Sequence, residues 1–168
     1  LPEGVFVEII EQGEHAKFRY AYKEPGFKRP EASRSPGGKV AIMEPDHPCG
    51  GAYEVVLSNA SQGWGPMLYD VAMEWATQNG GGLVSDRSHV SPNARGVWDY
   101  YLSNRGDVQS VQLDDLKNTM TPEEEDNCGQ SSAAIGRSSA GMPKTLDFQE
   151  SPLSKRYTKA PTTMNALE

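Results

Sequence analysis

The apolar positions of this chain fall into short runs broken by glycine, proline and charge, and two central stretches change to a helical period. Val5-Phe6-Val7-Glu8-Ile9-Ile10 is β-branched and aromatic and predicts a strand. Phe18-Arg19-Tyr20-Ala21-Tyr22 predicts a second, and Gly13 in the connection suits a hairpin. Lys39 to Met43 predicts a third strand, stopped by Pro45 and Pro48. Between these, Lys23 to Gly38 mixes Pro25, Gly26, Pro30, Pro36 and Gly37 with charges, the composition of an exposed loop.

The centre of the chain, from Ala52 to Tyr101, carries the clearest order. Ala52 to Ser58 predicts a strand, and its run Val55-Val56-Leu57 fits a central strand buried on both faces. Pro66 then opens a helix to about Gln78, with Met67, Leu68, Val71, Ala72, Trp75 and Ala76 on one face and Asp70, Glu74 and Gln78 on the other. Proline suits the first helical turn, and Gly80 is placed as a left-handed stop. Leu83-Val84-Ser85 predicts a short strand, and Ser91-Pro92 opens a second helix whose Ala94, Val97, Trp98 and Tyr101 recur at three and four. Two consecutive strand-to-helix turns leave backbone N–H groups without helical partners, so an anionic ligand is expected there.

Beyond Asp107 the pattern weakens. Asp114 to Asp126 is acidic, and Gln130 to Lys144 is mostly Ser, Ala and Gly, which predicts loop or extension. Leu153 to Lys159 is placed as a last strand, with a helix starting at Thr162. The expected organisation is a core over residues 1–110 and a polar, acidic arm over 111–168.

Composition narrows the function. With 23 acidic against 16 basic residues the net charge is -7, which argues against a nucleic-acid or membrane-surface partner. No apolar run is long enough to span a membrane, and Leu1-Pro2-Glu3-Gly4 lacks the features of a secretion signal. Cys49 and Cys128 do not make a disulfide framework, so a reducing, cytoplasmic setting is expected. His47, Cys49 and His89 lie on separate loops without a ligand spacing, and no metal is expected.

At Gln62-Gly63-Trp64-Gly65-Pro66-Met67 the chain resembles motif A of the GCN5-related N-acetyltransferases, Q/R-x-x-G-x-G/A at a helix start. Gln62 and Gly65 match, and Met67 stands where the family has a small residue. The next elements also look similar: a short strand at Leu83 to Ser85, then a helix opening with a polar residue before Ala94. The resemblance covers about residues 39–105. It implies an α/β (α+β) fold, a central mostly antiparallel mixed sheet with two packed helices, here followed by an irregular C-terminal extension. It also implies acetyl-CoA as cofactor, with Gln62, Gly63, Trp64, Gly65 and Met67 at the pyrophosphate and the backbone of Val55, Val56 and Leu57 along the pantetheine arm. The family often uses a tyrosine as general acid four residues beyond that alanine; this chain has Trp98, with Tyr100 and Tyr101 nearby. The overall look is similar to acetyltransferase-like proteins carried by bacteriophages.

Two functions follow as expectations. One is acetyl transfer to an unidentified amine, with Glu54 and Tyr53 as candidates for the base or its water, and Tyr100 and Tyr101 as further catalytic candidates. The other is a catalytically inactive relative serving as a structural or assembly component, for instance in a phage particle, through protein–protein contacts. The polar arm suits wrapping such a partner.

Overall fold

The computed structural model describes residues 1–23, 35–46, 49–113, 128 and 150–168. The fold is α+β. The chain runs β1 (Val5–Gln12), β2 (His15–Tyr22), β3 (Gly38–Met43), β4 (Tyr53–Ala60), α1 (Gly65–Asn79), β5 (Leu83–Val84), α2 (Pro92–Asn104), β6 (Val108–Gln112), a 3-10 turn at Pro152–Ser154, β7 (Lys155–Lys159) and α3 (Thr162–Leu167). The strands form one seven-stranded sheet in the order β1-β2-β3-β4-β5-β7-β6.

β1 and β2 form the expected hairpin, paired from Val5 with Tyr22 to Gln12 with His15. Antiparallel pairing continues to β3 and β4. The β4–β5 pair is parallel, and β5–β7 and β7–β6 are antiparallel again. β7, expected as a last strand, therefore sits inside the sheet. β6 is not anticipated by the sequence: Val108-Gln-Ser-Val-Gln112 has two valines and lies at an edge, where little apolar surface is needed.

Both long helices cover the same face of the sheet. Tyr157 on β7 packs on Trp98 of α2, ring centroids 5.2 Å apart. Lys159, two residues on and so on the same face, bonds Glu74 of α1. Beneath the helices lie Phe18, Val40, Ile42, Val55 and Leu83 from the strands, with Leu68, Val71, Ala72 and Trp75 of α1 packed on them.

Covering from a second side corrects the polar face assigned to α1. Gln78 is exposed, but Glu74 is fully buried and Asp70 is half-buried. Asp70 accepts from Arg105 (3.1 Å) and from the Tyr101 hydroxyl (2.7 Å) of α2. Glu74 binds Lys159 and accepts from the N–H groups of Thr163 and Met164 at the start of α3. Each carboxylate is polar because a partner far along the chain meets it.

Gly80 is not a left-handed stop, since its φ is -172°. It is a close-approach residue: a Cβ there would stand 2.5 Å from the carbonyl oxygen of Gly51. Next to it the N–H of Gly81 donates to Gly51 (2.8 Å), and the Arg156 guanidinium donates to the carbonyl of Gly81 (2.8 Å). Two glycine turns thus lock the start of β4 to the start of β5.

The expectation of two separate thiols is overturned. Cys49 and Cys128 form a disulfide, 79 residues apart in sequence. It lies in a small apolar cluster with Ala52, Val84 and Leu113. Val84 alternates with the core residue Leu83, so this cluster is on the sheet face opposite the helices. The acidic stretch 114–126, the Ser/Ala/Gly stretch 130–144, His47 and loop residues 24–34 lie outside the described residues.

Candidate functional site

The parallel pairing of β4 with β5 joins only Tyr53 with Leu83 and Glu54 with Val84. β4 continues to Ala60, so from Val55 onward its edge on that side has no strand partner among the described residues. On the other side Ala41 pairs with Leu57 and Ile42 with Val55, so Val56 is the extra residue of a β-bulge. A bulge leaves that residue out of the ladder and re-aims its backbone. The run Val55-Val56-Leu57 is therefore not buried on both faces: Val55 is buried, but Val56 and Leu57 are 38% and 43% exposed.

A groove follows this open edge. A cavity of about 200 Å³ lies against Val55, Val56 and Leu57, with Asp86 and His89 at its rim. A larger one of about 510 Å³ continues along Asn59, Ala60 and Ser61 to Gln62, Gly63 and Gly65. Ser58, Tyr69, Ser91 and Ala94 line both, so the two are parts of one groove running from the bulge to the start of α1, beside the start of α2.

The turn at the far end is held from behind. The Tyr20 hydroxyl donates to the Trp64 carbonyl (2.5 Å), and Ser61 bonds Ser35 and Gly37 through its hydroxyl and its N–H. The first turn of α1 has no side-chain cap and no acidic residue. First-turn N–H groups have no intrahelical partner, and the helix dipole makes that end favourable for an anion. At α2, by contrast, the Ser91 hydroxyl accepts from the N–H of Ala94 (3.2 Å), the expected cap.

The two glycines of the motif differ. Gly63 has φ +86°, a conformation that selects glycine for backbone reasons. Gly65 is helical, and a Cβ there would make only an ordinary contact, 3.6 Å from the Cβ of Ala60. The fold does not need glycine at 65. An object lying against that backbone from the groove would.

Among the residues expected to bind the cofactor, Val55, Val56 and Leu57 line one end of the groove and Gln62, Gly63 and Gly65 the other. Trp64 and Met67 belong to the same turn and first helical turn, but their side chains do not line the groove. Their side chains pack on the core, and the Trp64 ring stands edge-on to Tyr20.

The catalytic candidates separate further. Glu54 precedes the groove-lining Val55 but lines neither part of the groove itself; it pairs with Val84, and its Oε1 accepts from the N–H of Arg87 (2.7 Å). Burial raises its carboxyl above the ordinary value, against the Arg87 hydrogen bond, which lowers it. Tyr53 points the other way. It is buried edge-on to Trp75 and opens on a different cavity, beside Glu44 and Asp46. Tyr100 is half exposed and lines neither part of the groove. Tyr101 is buried with its hydroxyl on Asp70; burial and that carboxylate raise its pKa far above the usual range. Helix geometry accounts for the last two: one position rotates about 100°, which carries one tyrosine to solvent and the other to the core.

Ser58, Tyr69 and Asn93 line the groove and are not singled out by the sequence, which marks Ser91 only as a helix start. The Ser91-Pro92 helix start marks their region, but nothing local marks Tyr69, which reads as one more residue of an apolar helix. No lysine or arginine is among the described residues lining the groove. Among the described residues no three His, Cys, Asp or Glu side chains converge as a metal site, and no helix is long and apolar enough to cross a membrane. Comparison with protein-family models, curated proteins and solved structures found no match for this chain.

Proposed function

We propose that the groove binds acetyl-CoA and that the chain is an N-acetyltransferase acting on an amine, with the GCN5-related resemblance as the guide. The observation that carries this reading is the continuity of the open β4 edge, from the bulge at Val56 to the uncapped start of α1. Pantetheine is a narrow chain with two amides. It matches a strand edge whose backbone groups have no strand partner among the described residues, and the pyrophosphate then falls at the first-turn N–H groups of α1. The helical conformation of Gly65, with room for a Cβ, supports the same reading.

In the reaction the amine nitrogen attacks the thioester carbonyl, the C–N bond forms, the C–S bond breaks and CoA leaves. Backbone N–H groups at the bulge polarise the carbonyl. Glu54, next to the groove-lining Val55 and with its raised pKa, accepts the surplus amine proton through water. The test is release of free thiol from acetyl-CoA over a panel of primary amines. The reading expects amine-dependent release that Glu54→Gln abolishes. Acetyl-CoA that stays intact with every amine, on a folded sample, counts against it.

A second reading is favoured by the disulfide. Such bonds persist in oxidising surroundings, virion surfaces among them, and are rare in the cytosol. An inactive relative in a phage particle would keep the groove as a docking site for an extended protein segment. The enzyme reading places the chain in the cytoplasm instead.

A further inference from the structure

We propose that the hydroxyl of Tyr69 holds the leaving sulfur of the thioester, with Ser58 as its partner when the groove is empty. This rests on the acetyl-CoA reading above. A thiolate that departs inside a groove needs a hydrogen-bond donor where its charge develops. Tyr69 is buried, and its hydroxyl donates to the Ser58 hydroxyl at 2.7 Å. Both residues line the part of the groove beside the bulge as well as the part leading to α1. Ser58 stands two residues beyond Val56, about 7 Å along the strand. The ring is fixed from behind, edge-on to the buried Trp98 with centroids 5.8 Å apart, so the hydroxyl has a defined direction. Tyr53 and Tyr101 are turned elsewhere, and Tyr100 faces solvent.

The role is hydrogen-bond donation and not loss of the phenolic proton. Burial raises the pKa of Tyr69 more than the Ser58 hydrogen bond lowers it, so the O–H stays intact where a thiol ionises. As the C–S bond breaks, its electron pair stays on sulfur under the Tyr69 O–H. The proton released by the nitrogen reaches sulfur later through Glu54 or water, and no other reactant is needed.

Binding reports this without knowledge of the acceptor. Affinities for CoA and acetyl-CoA are compared by calorimetry from pH 6.5 to 9.5 for the wild type and Tyr69→Phe, with thermal unfolding of each. A donor that prefers thiolate lowers the pKa of the bound thiol, so the CoA affinity rises with pH up to the free-thiol pKa. Acetyl-CoA has no such group. The expected result is a rise of about tenfold for CoA relative to acetyl-CoA in the wild type. In Tyr69→Phe this rise is lost while acetyl-CoA affinity is kept. A wild type with no such rise overturns the assignment whether or not the variant folds. So does a folded variant that keeps the rise, or one that loses both ligands equally, as loss of a contact to the pantetheine arm would give. If the folded wild type binds neither ligand, the acetyl-CoA reading itself fails, and that result is distinct from failure of Tyr69 alone.

Discussion

Lys159 on β7 and Glu74 on α1 form a buried ion pair, Nζ to Oε2 2.7 Å, with side chains 2% and 0% exposed. The same carboxylate receives two N–H groups at the start of α3. It therefore ties the last strand and last helix to the helix that ends the groove. Removing one partner of a buried pair strands a charge, which costs about 3–5 kcal/mol. Lys159→Met is expected to lower stability by that amount in urea unfolding. Adding Glu74→Leu is expected to recover part of the loss.

The Cys49–Cys128 bond closes a loop of 79 residues. In the chain-entropy account a crosslink of this span stabilises by about 4 kcal/mol. Reduction, or Cys128→Ser, is expected to lower the urea midpoint accordingly. An unchanged midpoint after verified reduction would show that the bond contributes nothing to stability.

Glu54 gives a pH signature. Its folded pKa is raised, chiefly by burial, above an ordinary value of 4.5. The folded state then binds the proton more tightly, so this group's contribution to stability is complete below the unfolded pKa. It is lost as pH rises through the folded value. Glu54→Gln removes this charge, so the variant is expected to be more stable than wild type at pH 7 and no more stable at about pH 3, by thermal unfolding. A variant less stable than wild type at pH 7 would mean that the carboxylate's bond to the Arg87 N–H outweighs its burial.

Gly81 tests the lock between β4 and β5. A Cβ there runs into the backbone of Gly50, which itself packs under Arg156. Gly81→Ala is expected to be destabilising by roughly 1–3 kcal/mol, the range of overpacking. Gly96→Ala, where a Cβ meets open space, is the control.

The local half of this fold is legible in the sequence. Leu68, Val71, Ala72 and Trp75 repeat at a helical period, and Ser91-Pro92 signals a helix start, so α1 and α2 can be read from neighbouring residues alone. What fails is whatever depends on distant residues. Glu74 looks like a solvent-face residue because Lys159 is 85 positions away. Cys49 and Cys128 carry no spacing that joins them. Val56 and Leu57 look like core because apolarity does not tell a buried strand from one lining a groove. The turn at Gln62 to Gly65 is legible through its glycines. Tyr69 is not, because only the tertiary structure sets its hydroxyl on Ser58.

The central claim is that acetyl-CoA lies in the groove with its pyrophosphate against the turn at Gly65. Calorimetric titration of acetyl-CoA into the wild type and Gly65→Glu tests it most directly, because a side chain at 65 is tolerated by the backbone and enters the groove. The account predicts saturable binding to the wild type at micromolar concentration. It also predicts loss of at least about tenfold in affinity, 1.4 kcal/mol or more, in a variant that unfolds at the same temperature. Equal binding by both proteins, or none by the folded wild type, would contradict it.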